Sequence, residues 1–202
     1  MNYTGPKVKL SRRLGIPLTP KAVRIMEKKS YPPGMHGRLR QFKRQESDFH
    51  RQLLEKQRLR LQYNVHERQM RNYFQKASAK YGNTVDNLIQ LLETRLDAVV
   101  MRGGLATTIY AARQFVSHGH ILVNGKRVNI PSYNLKVGDV VSVREKSRKI
   151  PAFSEAMESI IAPPPYLERS KEDMSIKLLY LPKREEVPAI CEISLVIEYY
   201  SR

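Results

Sequence analysis

The chain has 202 residues and a mass of 23.4 kDa, room for one or two compact domains at about 100–200 residues each. Its 36 Lys and Arg outnumber 19 Asp and Glu, giving a net charge of +17 and a pI near 10.1, while 41% of residues are apolar; a core can lie beneath a strongly cationic surface, the footprint of a partner for polyanions. A single cysteine, Cys191, excludes an intramolecular disulfide framework and any Cys-cluster zinc site, and with neither a membrane-length apolar run nor the apolar stretch of a secretory signal in Met1 to Leu10, a reducing, soluble compartment is expected.

The charge is uneven: residues 1–60 carry +12, 61–87 carry +2, 88–147 carry +4 and 148–202 carry −1. A basic front against a neutral end reads as an arm that lies on phosphates. A membrane surface would also attract cations, but residues 1–45 have no amphipathic helix period and are broken by Gly5, Pro6, Gly15, Pro17, Pro20, Pro32, Pro33, Gly34 and Gly37. They read as extended or irregular, with one short helix over Lys21 to Lys29, and need a partner to order them fully.

From Ser47, a natural N-cap, a helix is predicted to about Gln62, with Phe49, Leu53, Leu54 and Leu61 as its apolar face. Asn64 suits the left-handed conformation that would end it. A second helix runs from about Val65 to Ala79, with Met70, Phe74 and Ala77 inward, and Gly82 closes it. Thr84 caps a third, whose apolar set is Val85, Leu88, Ile89, Leu91 and Leu92. A short helix over 95–102 ends at Gly103-Gly104, and Thr107 or Thr108 caps another to about Ser117. Ile121 to Val123, the turn Asn124-Gly125 and Arg127 to Ile130 then read as a β-hairpin, with a third strand over Val140 to Arg144. Beyond these, Ser154 to Ala162 is expected helical, Pro163 to Pro165 a linker, and Ile176 to Tyr180 and Ile193 to Tyr199 strands.

The segment Leu91 to Glu145 carries Arg95-Leu96-Asp97, Ala112-Arg113-Gln114, His118-Gly119-His120, Val123-Asn124-Gly125, Ile130-Pro131-Ser132-Tyr133 and Gly138-Asp139 in that order. It closely resembles the S4 RNA-binding domain, in the version found in the bacterial-type ribosomal S4 family. The likeness extends to Tyr3-Thr4-Gly5-Pro6, Leu10-Ser11-Arg12-Arg13, Pro33-Gly34, His36-Gly37, Glu55-Lys56-Gln57, Glu67-Arg68-Gln69 and Ile197 to Arg202, and is weakest over about 148–190. It implies an α+β fold: a basic N-terminal arm (1–45), an all-helical domain (46–87, completed by part of 150–202), an S4 domain (88–147) with a helix-turn-helix followed by a hairpin and small antiparallel sheet, and a linker with C-terminal strands (148–202). It implies a structural protein that binds small-subunit ribosomal RNA directly, nucleates assembly of the subunit body, and sits with neighbouring ribosomal proteins where the messenger enters. The location would be the cytoplasmic ribosome or an organelle. Some members hold zinc in the arm on four cysteines, but Val8 stands at the first of those positions, so no metal or other cofactor is expected.

Folded RNA hides its base edges, so a reader works through phosphates, 2′-hydroxyls and shape, which favours many dispersed donors. In the arm the expected contacts are Arg12, Arg13, Arg38, Arg40, Lys43 and Arg44. In the helices they are Lys56, Arg58, Arg60, Arg68 and Arg71, although the cations of 48–62 span too wide an arc to face one partner together. In the S4 domain they are Arg113, Gln114, His118, His120, Asn124, Lys126, Arg127, Ser132 and Tyr133. Arg113 has an intramolecular ion pair as its alternative, and the two histidines a capping or core role; Asn124-Gly125 is a turn before it is a contact. Asp97, in an Arg-Leu-Asp context used by pseudouridine synthases, is expected to serve as a helix cap or arginine partner, with no catalytic residue anywhere. The competing functions are an RNA-modifying enzyme, disfavoured because only 57 residues follow Glu145 and no catalytic constellation precedes it, and a DNA-binding regulator built on the helix pair at 95–118. Neither a small-molecule substrate nor a membrane partner is expected.

Overall fold

A computed structural model of the chain describes residues 3, 5–37, 47–158 and 162–202. The fold is α+β, with two compact units: residues 1–76 with 189–202, and residues 77–188.

In the first unit the front of the chain is more regular than its composition suggests. Helix α1 spans Lys7–Leu14 and α2 spans Pro20–Lys28. The expectation of irregular backbone misses α1 because its punctuation falls just outside it: Pro6 opens the helix and Gly15, at φ 71°, closes it. Thr19 caps α2 by accepting from the Ala22 amide at 3.3 Å. Helix α3, Asp48–Gln62, starts where predicted, with Ser47 accepting from the His50 amide at 3.3 Å, and Asn64 follows it at φ 48°. Its inward face is only partly the predicted one: Leu61 is buried and Leu54 packs against its cluster as expected, but polar positions are buried as well. Phe49 is 50% exposed, whereas Gln52, Glu55, Lys56, Leu59 and Leu61 are buried. Leu61 joins Leu14 and Ile16 in a small apolar cluster, while the polar positions meet partners described below.

Helix α4 is Glu67–Ala79; its part in this unit ends at Lys76, with Met70 and Tyr73 buried and Phe74 half-buried, and Ala77, buried too, begins the second unit. The expected strand over Ile193 to Tyr199 is instead a helix, α9, Ile193–Ser201. The apolar run Leu195-Val196-Ile197 suggests a strand, but Ile193 and Val196 are buried at helical spacing and α9 packs along α3, so tertiary packing overrides propensity. Gln52 donates to Glu198 at 2.8 Å, the Glu192 amide to Glu55 at 3.0 Å, and the Tyr200 hydroxyl to Glu67 at 2.7 Å.

In the second unit α5, Thr84–Glu93, is capped by Asn83 rather than Thr84; the Asn83 side chain accepts from the Val85 amide at 2.9 Å. Helices α6, Leu96–Arg102, and α7, Ile109–Ser117, meet at Gly103-Gly104, and Thr108 caps α7. Gly103 is buried because Ile176 fills the space a side chain would need. Five antiparallel strands follow: β1 Ile121–Val123, β2 Lys126–Arg127, β3 Val140–Val143, β4 Leu167–Ser170 and β5 Ser175–Leu178, in the order β2-β1-β3-β5-β4. Strand β2 is shorter than expected because the chain beyond it peels away to serve α6. The Leu96 amide donates to the Tyr133 carbonyl at 2.8 Å and the Asp97 amide to Pro131 at 3.1 Å, satisfying two of the donors a helix start leaves open. Helix α8, Pro151–Glu158, begins earlier than the expected Ser154; residues 159–161 of that expectation lie outside the described residues. Ile121, Val123, Val141, Val143, Ile176 and Leu178 fill one face of the sheet. Strands β4 and β5, from the stretch of weakest resemblance, thus extend the hairpin's own sheet through β3.

Candidate nucleic-acid interface

The cations expected to meet RNA separate into two kinds. The first kind is already occupied. Lys56 is buried, paired with Glu67 at 2.9 Å and placed 4.7 Å over the Tyr199 ring, so its expected RNA contact is corrected to an interior role. Arg58 donates to the Leu14 carbonyl at 2.8 Å and pairs with Glu55; Arg60 reaches Glu67 at 3.8 Å. Arg12 lies 4.9 Å over the Tyr31 ring and donates to its carbonyl at 2.9 and 3.2 Å, tying α1 to the segment after α2. These four arginine and lysine side chains hold the first unit together. Burial alone would raise the Glu67 carboxyl, but hydrogen bonds from Lys56 and Tyr200 and the charges of Lys56 and Arg60 hold it below its ordinary value.

Arg95 and Asp97 are also interior. Both are fully buried and paired at 2.6 and 3.0 Å, with Arg113 reaching Asp97 at 3.8 Å from α7. The arginine-partner role expected of Asp97 is what the geometry provides, and a carboxylate sealed from solvent and held by two guanidiniums is no general base. Arg113 is half-buried and linked to that pair, so its alternative as an ion-pair partner is realised. Asn124 is likewise used by the fold. At φ 50° it makes the hairpin turn, accepts from the Val140 amide and donates to Asp139, both at 2.9 Å.

The second kind is exposed and has no ion-pair partner among the described residues. Arg13, Arg68 and Arg71 belong to it in the first unit. In the second it comprises Lys126 and Arg127 on the hairpin, joined by Arg144 at the end of β3 and by Lys146, Arg148 and Lys149 just beyond. Sequence reasoning misses Arg144 to Lys149, whose signal is the run Arg-Glu-Lys-Ser-Arg-Lys with one acid among four bases. Gln114 and His118 are exposed at the end of α7, Tyr133 is 40% exposed and Ser132 half-buried. Arg38, Arg40, Lys43 and Arg44 lie outside the described residues.

His120 sits between these groups. Its Nδ1 is 2.9 Å from the Ser147 hydroxyl, and its ring packs edge-on to Phe115 and Phe153. Burial, then the charges of His118, Arg127 and Arg144, hold its imidazole below the ordinary value. The His118 and His120 ring centroids are 6.0 Å apart, and no third metal-ligand side chain joins them among the described residues. What the edge offers is a row of unneutralised donors on α7, the hairpin and the end of β3, suited to phosphate oxygens.

Comparison with known proteins identifies the family. Residues 2–93 match the family described as the ribosomal protein S4/S9 N-terminal domain, and residues 94–141 match the S4 domain. The small ribosomal subunit protein uS4 of Thermobifida fusca is 50% identical over 205 aligned residues, covering 100% of both chains. That of Streptomyces avermitilis is 51% identical over all of this chain and 99% of its own, and that of Rubrobacter xylanophilus 44% identical over 99% of this chain and 98% of its own.

Proposed function

Because the chain belongs to the uS4 family of small ribosomal subunit proteins, we propose that its unpaired cationic edge is where it holds small-subunit ribosomal RNA. The family is structural, and the chain is a non-enzymatic constituent of the ribosome. The observation that carries the reading of the edge is that Lys126, Arg127, Arg144, Lys146, Arg148 and Lys149 stand exposed with no ion-pair partner among the described residues, in and beside the part of the chain that matches the S4 domain. Direct RNA contact gives such side chains the counter-charge the protein withholds, releasing condensed cations from the phosphates. Arg13, Arg68 and Arg71 extend the same role to the first unit. Early RNA binding of this kind supports nucleation of the subunit body, cytoplasmic ribosomes as the location, and ribosomal-protein neighbours near the point where the messenger enters.

Crosslinking in a cell lysate, followed by identification of the attached nucleic acid, tests this. Small-subunit ribosomal RNA joined to peptides carrying Lys126 to Arg148 is the expected product. Recovery of DNA, or of transfer RNA alone, would overturn the reading.

A further inference from the structure

The end of α7 holds a construction that general RNA attraction does not require. Gly119, at φ 73°, follows His118, and a Cβ there would collide with the guanidinium of Arg127. The guanidinium therefore lies close on the glycine backbone, with Nη2 3.5 Å from the His118 carbonyl. Across the sheet the Arg144 amide donates to the His120 carbonyl at 2.9 Å, which brings the start of the Arg144 side chain to the same place. A planar donor lying on this backbone without a carboxylate partner suits a bidentate oxyanion.

We infer that His118, His120, Arg127 and Arg144 form a single phosphodiester site that takes up one proton when RNA binds. The inference deepens the ribosomal-RNA reading and rests on it. The charged and titratable groups facing His120 are His118 from the end of α7, Arg127 from β2 and Arg144 from β3; Ser147 after β3, Phe115 of α7 and Phe153 of α8 complete its surroundings. No carboxylate is among them in the described residues. In the free protein burial and like charge hold this ring's proton affinity below the ordinary value. A phosphate seated among the same cations reverses the sign of the local field, so the neutral imidazole accepts a proton from solvent and gains a charge-assisted contact. No bond of the phosphodiester is broken; the proton moves from water to ring nitrogen and leaves again when the RNA dissociates.

The test uses the full chain and a transcript of small-subunit ribosomal RNA at constant salt. Affinity is expected to rise about tenfold from about pH 8 to about pH 5.5, the factor that one unit of change in an imidazole pKa supplies. The double variant His118→Gln, His120→Gln should bind with less than about a twofold change over that range. Should that variant melt early, an NMR titration of the wild-type imidazole signals decides, because the His120 pKa must be higher in the complex than in the free chain. A flat pH profile with tight binding, or an unchanged His120 titration, overturns the proton-linked site and leaves RNA binding standing. Absence of binding at every pH overturns the RNA reading and the site with it.

Discussion

Helix α3 and the hairpin edge of the S4 domain carry the same kinds of side chain and use them in opposite ways. Lys56, Arg58 and Arg60 have Glu55, Glu67 or a backbone carbonyl within reach, and their charge is consumed in joining α1, α4 and α9 to α3. Lys126, Arg127 and Arg144 have no such carboxylate partner among the described residues, and the one carboxylate near the turn, Asp139, is taken by Asn124 and by the Lys136 amide at 2.8 Å. Counting cations therefore says little about where a polyanion sits. What decides it is which cations the fold leaves without counter-charge, and that depends on elements as distant in sequence as α3 and α9.

The comparison breaks most severely at Arg95. Arg95→Met would strand the fully buried Asp97 and is expected to cost about 3–5 kcal/mol of stability in denaturant unfolding, against little intrinsic loss of RNA contact. Next, Lys56→Ala should cost about 1.5–3 kcal/mol, the scale of a hydrogen bond to a charged group; the salt dependence of RNA binding by the folded fraction should be unchanged. A flatter salt slope would mean that α3 meets RNA after all. Arg68→Gln with Arg71→Gln should move stability by no more than about 0.5 kcal/mol, as exposed positions do, while weakening RNA binding at low salt.

The smallest effect is in acid. The Glu67 carboxyl is lower when folded than when unfolded, so its contribution is present above the ordinary carboxylate value and lost as pH falls through the folded one. Because the side chain is 45% exposed, screening limits this to a few tenths of a kcal/mol, roughly. Glu67→Gln should remove that part of the acid dependence when Tm is followed against pH.

Much of this is legible in the amino-acid sequence. The left-handed Asn64 and Asn124, the caps at Ser47 and Thr108, and the Gly103-Gly104 turn follow from local chemistry that neighbours do not overrule. Helix α9 is not legible, because an apolar run rich in β-branched residues takes its form from the surface it meets, here α3. Neither is the sorting of the cations. Glu67 lies eleven positions from Lys56, and Tyr199 reaches the same ammonium from the far end of the chain. The close placement of Arg127 on Gly119 needs both the helix end and the hairpin, and only the motif His118-Gly119-His120 hints at it.

The central claim is that exposed cations without counter-charge in the fold bind RNA, and the buried or half-buried cations that the fold engages build the protein. Equilibrium binding to small-subunit ribosomal RNA over a range of salt, for wild type and for Arg127→Ala with Arg144→Ala, tests it most directly. The double variant is expected to keep its Tm, lose about 1–3 kcal/mol of affinity, and flatten the log–log salt slope by about 0.7–0.9 for each phosphate contact removed. Unchanged affinity and slope, with a clearly lower Tm, would show these arginines to be structural and would contradict the account.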